Sequence, residues 1–106
     1  TVLAKRLQKP EPLVLLDVRE PWETRLAHLN DPRVFFLPLS RLANASRLPE
    51  ELINREAEII VFCHLGIRSA QVAAWLTGQG WKLVYNLRGG IDAYAREIDP
   101  SVGIYG

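Results

Sequence analysis

The chain has 106 residues, 48% of them hydrophobic and 24% charged, with 13 Lys+Arg against 12 Asp+Glu and a formal net charge of +1. That length suffices for one small domain and excludes two, and the charge balance argues against a basic nucleic-acid-binding domain and an acidic disordered tail. The one cysteine, Cys63, excludes an intramolecular disulfide and a zinc site built on several thiolates.

In chain order, residues 1–8 place Val2, Leu3 and Leu7 at helical spacing, and Pro10 and Pro12 end that predicted helix. Leu13-Val14-Leu15-Leu16 is a continuous apolar run closed by Asp17, which predicts a strand buried on both faces, as in a parallel sheet. Pro21 opens a predicted short helix over residues 21–27. Val34-Phe35-Phe36 predicts a brief strand after the turn residues Asn30, Asp31 and Pro32. Ser40 is placed to cap a helix over Leu42 and Ala45, and Pro49 to open another over residues 50–54.

Ile59-Ile60-Val61-Phe62 is the clearest strand. Residues 69–79 read as a helix with Val72, Ala73, Trp75 and Leu76 on its apolar side and Gly78 or Gly80 at its end. Leu83-Val84-Tyr85 is the next strand, Arg88-Gly89-Gly90 a tight connection, and residues 91–98 a last helix before Pro100. Strands alternate with helices, so the expected fold class is α/β, a parallel sheet with helices on both faces and right-handed crossovers. Ligands of such sheets sit beyond the carboxyl ends of the strands. Two loops lie there: Asp17-Val18-Arg19-Glu20 and residues 63–68.

No apolar run approaches the roughly 20 residues of a membrane span or has the flanks of a signal peptide. With one unpaired thiol, this points to a reducing, cytoplasmic compartment. The chain contains no Met, so it either lost its initiator or was cut from a longer sequence.

The run Cys63-His64-Leu65-Gly66-Ile67-Arg68-Ser69 joins a strand to a helix. A lone cysteine at a strand end is ordinarily a small buried hydrophobe, but this loop favours an anion on its sulfur. Gly66 allows a left-handed or close-approach turn whose N–H groups point inward as an anion nest. The helix start adds its positive end, Ser69 is placed to cap it, and Arg68 brings a permanent charge. Lowering a thiol pKa from about 8.5 to about 7 needs roughly 2 kcal/mol, which a helix terminus nearly supplies alone. His64 reads as an exposed loop residue within reach of a substrate.

These residues carry a resemblance. Leu15-Leu16-Asp17-Val18-Arg19-Glu20, Ala27-His28-Leu29 with Pro38-Leu39, Cys63 to Ser69, and Asn86-Leu87-Arg88-Gly89-Gly90-Ile91-Asp92-Ala93-Tyr94 resemble, in this order, four motifs of the rhodanese-like sulfurtransferases. Ala27 stands where that family usually has Gly, and Tyr94 where it usually has Trp. The resemblance implies one rhodanese-like domain over residues 1–106, with room for a truncated N-terminal strand. It implies a three-layer fold and a sulfurtransferase whose Cys63 becomes a persulfide, taking sulfur from a donor such as thiosulfate. The acceptor would be cyanide, a thiol or a sulfur-carrier protein; no cofactor, metal, nucleic acid or membrane is expected. His64, Leu65, Gly66, Ile67, Arg68 and Ser69 would form the persulfide and substrate loop.

Asp17 and Arg19 are expected to brace that loop, Glu20 and Glu23 to be solvated, and His28 to be a satisfied buried histidine. Trp22 and Tyr94 are candidates to line the pocket. Four residues separate Cys63 from Arg68, where related phosphatases place five to wrap a tetrahedral oxyanion, and this sets phosphatase or arsenate reductase chemistry aside. Two further readings stand beside the stand-alone enzyme: a sulfur-relay module serving a carrier protein or an adenylyltransferase partner, and an inactive binding module.

Overall fold

The computed structural model describes residues 13–29, 31–38 and 54–105. Within them, β1 (Val14–Asp17), β2 (Val34–Phe36), β3 (Glu58–Phe62) and β4 (Leu83–Asn86) form one sheet in the order β2-β1-β3-β4. Every pairing is parallel. Among the described residues three helices follow strands, α1 (Pro21–Thr24), α2 (Ile67–Gly78) and α3 (Gly90–Glu97), and a 3-10 turn spans Pro100–Val102.

The alternation of strand side chains sorts the core into two layers. Leu15, Ile60 and Phe62 pack with Ile91, Tyr94 and Ala95 of α3 on one face. Leu16, Ile59, Val61 and Cys63 pack with Val72 and Leu76 of α2, and with Trp81, on the other. Burial on both faces explains why β1 and β3 read as unbroken apolar runs rather than alternating ones. Each fully buried Leu, Ile or Val contributes about 1.5–3 kcal/mol of transfer free energy, so the ends of these two central strands form a stiff platform.

The helices predicted at residues 1–8, around Leu42 and Ala45, and from Pro49 lie outside the described residues. Elsewhere the structure moves several boundaries and side chains. The helix expected to reach residue 27 ends at Thr24, and α2 begins at Ile67 rather than Ser69. Its cap position is Gly66, in a left-handed conformation (φ 95°), and no side chain caps it. Trp75 turns outward and Trp81, from the connection after α2, fills the core instead. His28 is exposed rather than buried, and Tyr94 belongs to the core under α3 rather than to a pocket. Among the described residues, no helix is long and apolar enough to cross a membrane.

Candidate active site

Cys63 follows directly on β3, whose carboxyl end lies beside that of β1, with Asp17 opposite Phe62. The chain runs from β1 to β2 on one side and from β3 to β4 on the other, so the strand order reverses here. That is the place where sheets of this class hold their ligands.

The thiol is buried, and its Sγ accepts from the backbone N–H of Gly66 at 3.1 Å and of Ser69 at 3.4 Å. The Ser69 Oγ lies 3.3 Å away. An N-cap oxygen ordinarily takes the N–H of the third helical residue; in α2 that residue is Ser69, and the sulfur takes its N–H. This is why Ser69 does not cap the helix: its hydroxyl faces the sulfur from inside the first turn. Burial pushes the thiol pKa up, but the Ser69 hydroxyl and the N–H groups of Ser69, Gly66 and Leu65 outweigh it and hold the thiol below its ordinary value. A thiol held so is poised to ionise, and the thiolate is the nucleophilic form.

The loop is clamped from its other side by α3. Ile91 N–H donates to the Cys63 carbonyl at 2.8 Å and Asp92 N–H to that of His64 at 3.0 Å. Gly90 makes this approach possible: it has φ 66°, and a Cβ there would lie 2.3 Å from the His64 oxygen. The paired glycines thus serve the docking of α3 as well as the turn.

The cation of Arg68 is not directed at the sulfur alone. Its guanidinium forks onto the carboxylate of Glu23, with contacts of 2.5 and 2.7 Å. Glu23, expected in solvent, is buried in the first turn of α1, where its Oε1 also accepts from Glu20 N–H at 3.1 Å. Tyr105, from the C-terminal segment, donates its hydroxyl to Glu23 Oε2 at 2.8 Å. The same hydroxyl accepts from Arg19 at 3.3 Å. Burial, together with the Glu23 carboxylate and against the pull of Arg19, raises the hydroxyl to about 12 and keeps it a donor.

Arg19 in turn forks onto Asp17, and both are buried. Asp17 and Arg19 therefore connect to the loop through Tyr105, Glu23 and Arg68. The 64 position also differs from expectation. His64 is half-buried with its ring stacked on Tyr105, centroids 4.0 Å apart. Its Nε2 lies 2.9 Å from the Tyr105 carbonyl, which can only accept, so the proton sits on Nε2. Leu65 and Ile67 are 54% and 69% exposed. Trp22, also exposed, meets Tyr105 edge to face.

Three residues of the site are not apparent as such from the sequence. Tyr105 lies too far along the chain to leave a local signal, and Asn86 stands out only as part of a motif. For Glu23 a signal existed: Glu20 and Glu23 form a capping box around Pro21, and a carboxylate at the third helical position turns back toward the helix start rather than outward.

The Glu23 carboxyl has a consequence for stability. Burial pushes it up, but Arg68, Tyr105 and the Glu20 N–H outweigh this and hold it at about 2, against an ordinary 4.5. A carboxylate held below its unfolded value stabilises the fold above about pH 4.5, and that contribution is lost as pH falls toward about 2. Discounted for the partial exposure of Arg68, it is on the order of 2–3 kcal/mol. Glu23→Gln is expected to be less stable than wild type by that amount at neutral pH, with the gap closing in acid. Urea unfolding across pH measures it, and a gap that does not change with pH would show that the ion pair contributes nothing.

The rhodanese-like domain model matches residues 1–97. The chain belongs to the rhodanese-like domain family. This rhodanese-like domain is 37% identical over 100 residues to a protein of Allochromatium vinosum named sulfurtransferase, covering 94% of this chain and 88% of that one. It is 44% identical over 91 residues to the chloroplastic rhodanese-like/PpiC domain-containing protein 12 of Arabidopsis thaliana. That match covers 86% of this chain but 30% of the Arabidopsis protein. A rhodanese-related protein of Thermoplasma volcanium has the same fold, with a TM-score of 0.72 and 25% identity over 91% of this chain and 86% of its own.

Proposed function

We propose that the protein is a sulfurtransferase that carries a sulfane sulfur on Cys63. The observation that supports it best is the environment of Sγ, ringed by the N–H groups of Gly66 and Ser69 and the Ser69 hydroxyl within 3.4 Å. In the first half-reaction, the Cys63 thiolate attacks the outer sulfur of a donor such as thiosulfate. A bond forms from Sγ to that sulfur, the sulfur–sulfur bond of the donor breaks, and sulfite leaves with the electron pair. In the second, a nucleophilic acceptor such as cyanide takes the outer sulfur and Cys63 departs as the thiolate. This is covalent catalysis assisted by fixed dipoles. Because sulfite leaves the first step as a stable anion and the Cys63 thiolate leaves the second, neither half-reaction calls for an acid, which fits a site where the Glu23 carboxylate is occupied by Arg68.

Intact mass spectrometry after exposure to thiosulfate tests the reading. A gain of one sulfur, removed by cyanide or a thiol, is expected. No gain, or a gain that cyanide does not remove, would overturn it.

The exposed Trp22, Leu65 and Ile67 around the loop favour a relay form of the same reaction, in which a protein rather than a small thiol approaches. Faster discharge of sulfur-loaded Cys63 by a protein thiol than by free cysteine would support that form, and the opposite ranking would remove it.

A further inference from the structure

Ser69 has one hydroxyl proton and two acceptors for it. Its Oγ is 2.5 Å from Oδ1 of Asn86 and 3.3 Å from Cys63 Sγ. The neighbour on the far side fixes which way the Asn86 amide faces. Its Nδ2 donates to the Gly66 carbonyl at 3.2 Å, and a flipped amide would set two oxygens against each other. Oδ1 therefore faces Ser69 and has to accept, so the hydroxyl proton is drawn to Asn86 and the Oγ lone pairs face the sulfur.

This arrangement satisfies a protonated thiol completely. The S–H donates to Oγ, the hydroxyl to Oδ1, and Nδ2 to the Gly66 carbonyl, each group donating to the next. A thiolate reverses the requirement: the hydroxyl must turn to the sulfur and give up Oδ1. Asn86 is exposed, so water can take over the abandoned oxygen.

We propose that the Ser69 hydroxyl is a two-position proton switch, and that Asn86 is the positioning residue that holds it on the side of the protonated thiol. The inference rests on the reading of Cys63 as nucleophile. In the transfer cycle the hydroxyl turns toward Sγ when the thiolate forms and returns to Asn86 when the outer sulfur is bound. The other titratable and charged groups around Cys63 are already partnered. Arg68 of α2 is bound to Glu23 of α1, the Tyr105 hydroxyl points at Glu23, and His64 on the loop donates to the Tyr105 carbonyl; Asp92 of α3 lies 3.7 Å from the His64 ring and holds Arg96, and Asp17 and Arg19 hold each other. The Asn86 amide bonds the Ser69 hydroxyl and the Gly66 carbonyl rather than any of these groups.

The test is the pH profile of Cys63 alkylation by iodoacetamide, which reads thiolate directly because the chain has one cysteine. Asn86→Leu removes the competing acceptor, and its alkylation midpoint is expected to fall by about half to one pH unit, the size of one hydrogen bond. Ser69→Ala is expected to raise the midpoint. In the Ser69→Ala background, Asn86→Leu is expected to move it far less, since no proton remains to be shared. Asn86→Ala repeats the test with a smaller side chain should Leu perturb the fold. A midpoint that rises in both Asn86 variants would mean that Asn86 only steadies the Gly66 turn, and would overturn the switch. An equal shift with and without the Ser69 hydroxyl, or no shift, would overturn it too. The readout needs no sulfur donor: a failed thiosulfate reaction with an intact midpoint shift removes the sulfurtransferase reading and leaves the switch standing.

Discussion

Cys63→Ser is expected to abolish sulfur uptake and to lower transfer from thiosulfate to cyanide by roughly 1000-fold or more, the scale of losing a covalent nucleophile. The variant is expected to stay folded. A serine Oγ can accept from the same Gly66 and Ser69 N–H groups that now hold the sulfur, and it is no larger. What fails is the chemistry. A hydroxyl is a far weaker acid than a thiol, so the dipoles that ionise sulfur do not ionise oxygen, and no persulfide can form on it. The measurements are intact mass after thiosulfate and thiocyanate release with cyanide. Because the chain has one cysteine, turnover by the folded variant would place the nucleophile on a different kind of side chain and end the proposal.

Gly90→Ala is expected to destabilise the fold by about 3 kcal/mol or more. The left-handed backbone (φ 66°) by itself costs a non-glycine residue about 1–2 kcal/mol. The new Cβ would also lie within 2.6 Å of three backbone atoms of Cys63 and His64, which cannot rotate away as a side-chain tip could. Relief would require α3 to withdraw, breaking the Ile91 and Asp92 N–H contacts to those carbonyls and placing the change among the severe, mechanistically specific ones. Gly78→Ala is the matched control. Its Cβ meets nothing within 4 Å, and its effect is expected to stay within about 0.5 kcal/mol. Urea unfolding of both variants checks this. A Gly90→Ala protein as stable as the control would show that α3 does not hold the loop.

The elements legible in the sequence are those written in short-range pattern. Leu13 to Leu16 and Ile59 to Phe62 announce β1 and β3 because a strand covered on both faces has no polar side to show. Cys63, Gly66 and Ser69 were legible as a cluster because the loop that gathers them is a few residues long. What the pattern hides are pairings made across the chain. Glu23 meets Arg68 over 45 residues and Tyr105 over 82, so a glutamate that reads as solvated becomes buried. His64, adjacent to Cys63, turns to Tyr105 for the same reason. Trp75, expected on the apolar side of its helix, faces outward because helical spacing alone does not say where the core ends.

The grip on the sulfur has one more consequence. Gly66 and Ser69 hold it through main-chain N–H groups, and every amino acid but proline carries one. At 65 and 67 the side chains face solvent, and their identity does not reach the sulfur. Drift or deliberate engineering can therefore rewrite the outer face of this loop while the Cys63 sulfur keeps its N–H partners. A scaffold of this kind is open to retargeting at constant chemistry, and its two outward positions are the first to randomise.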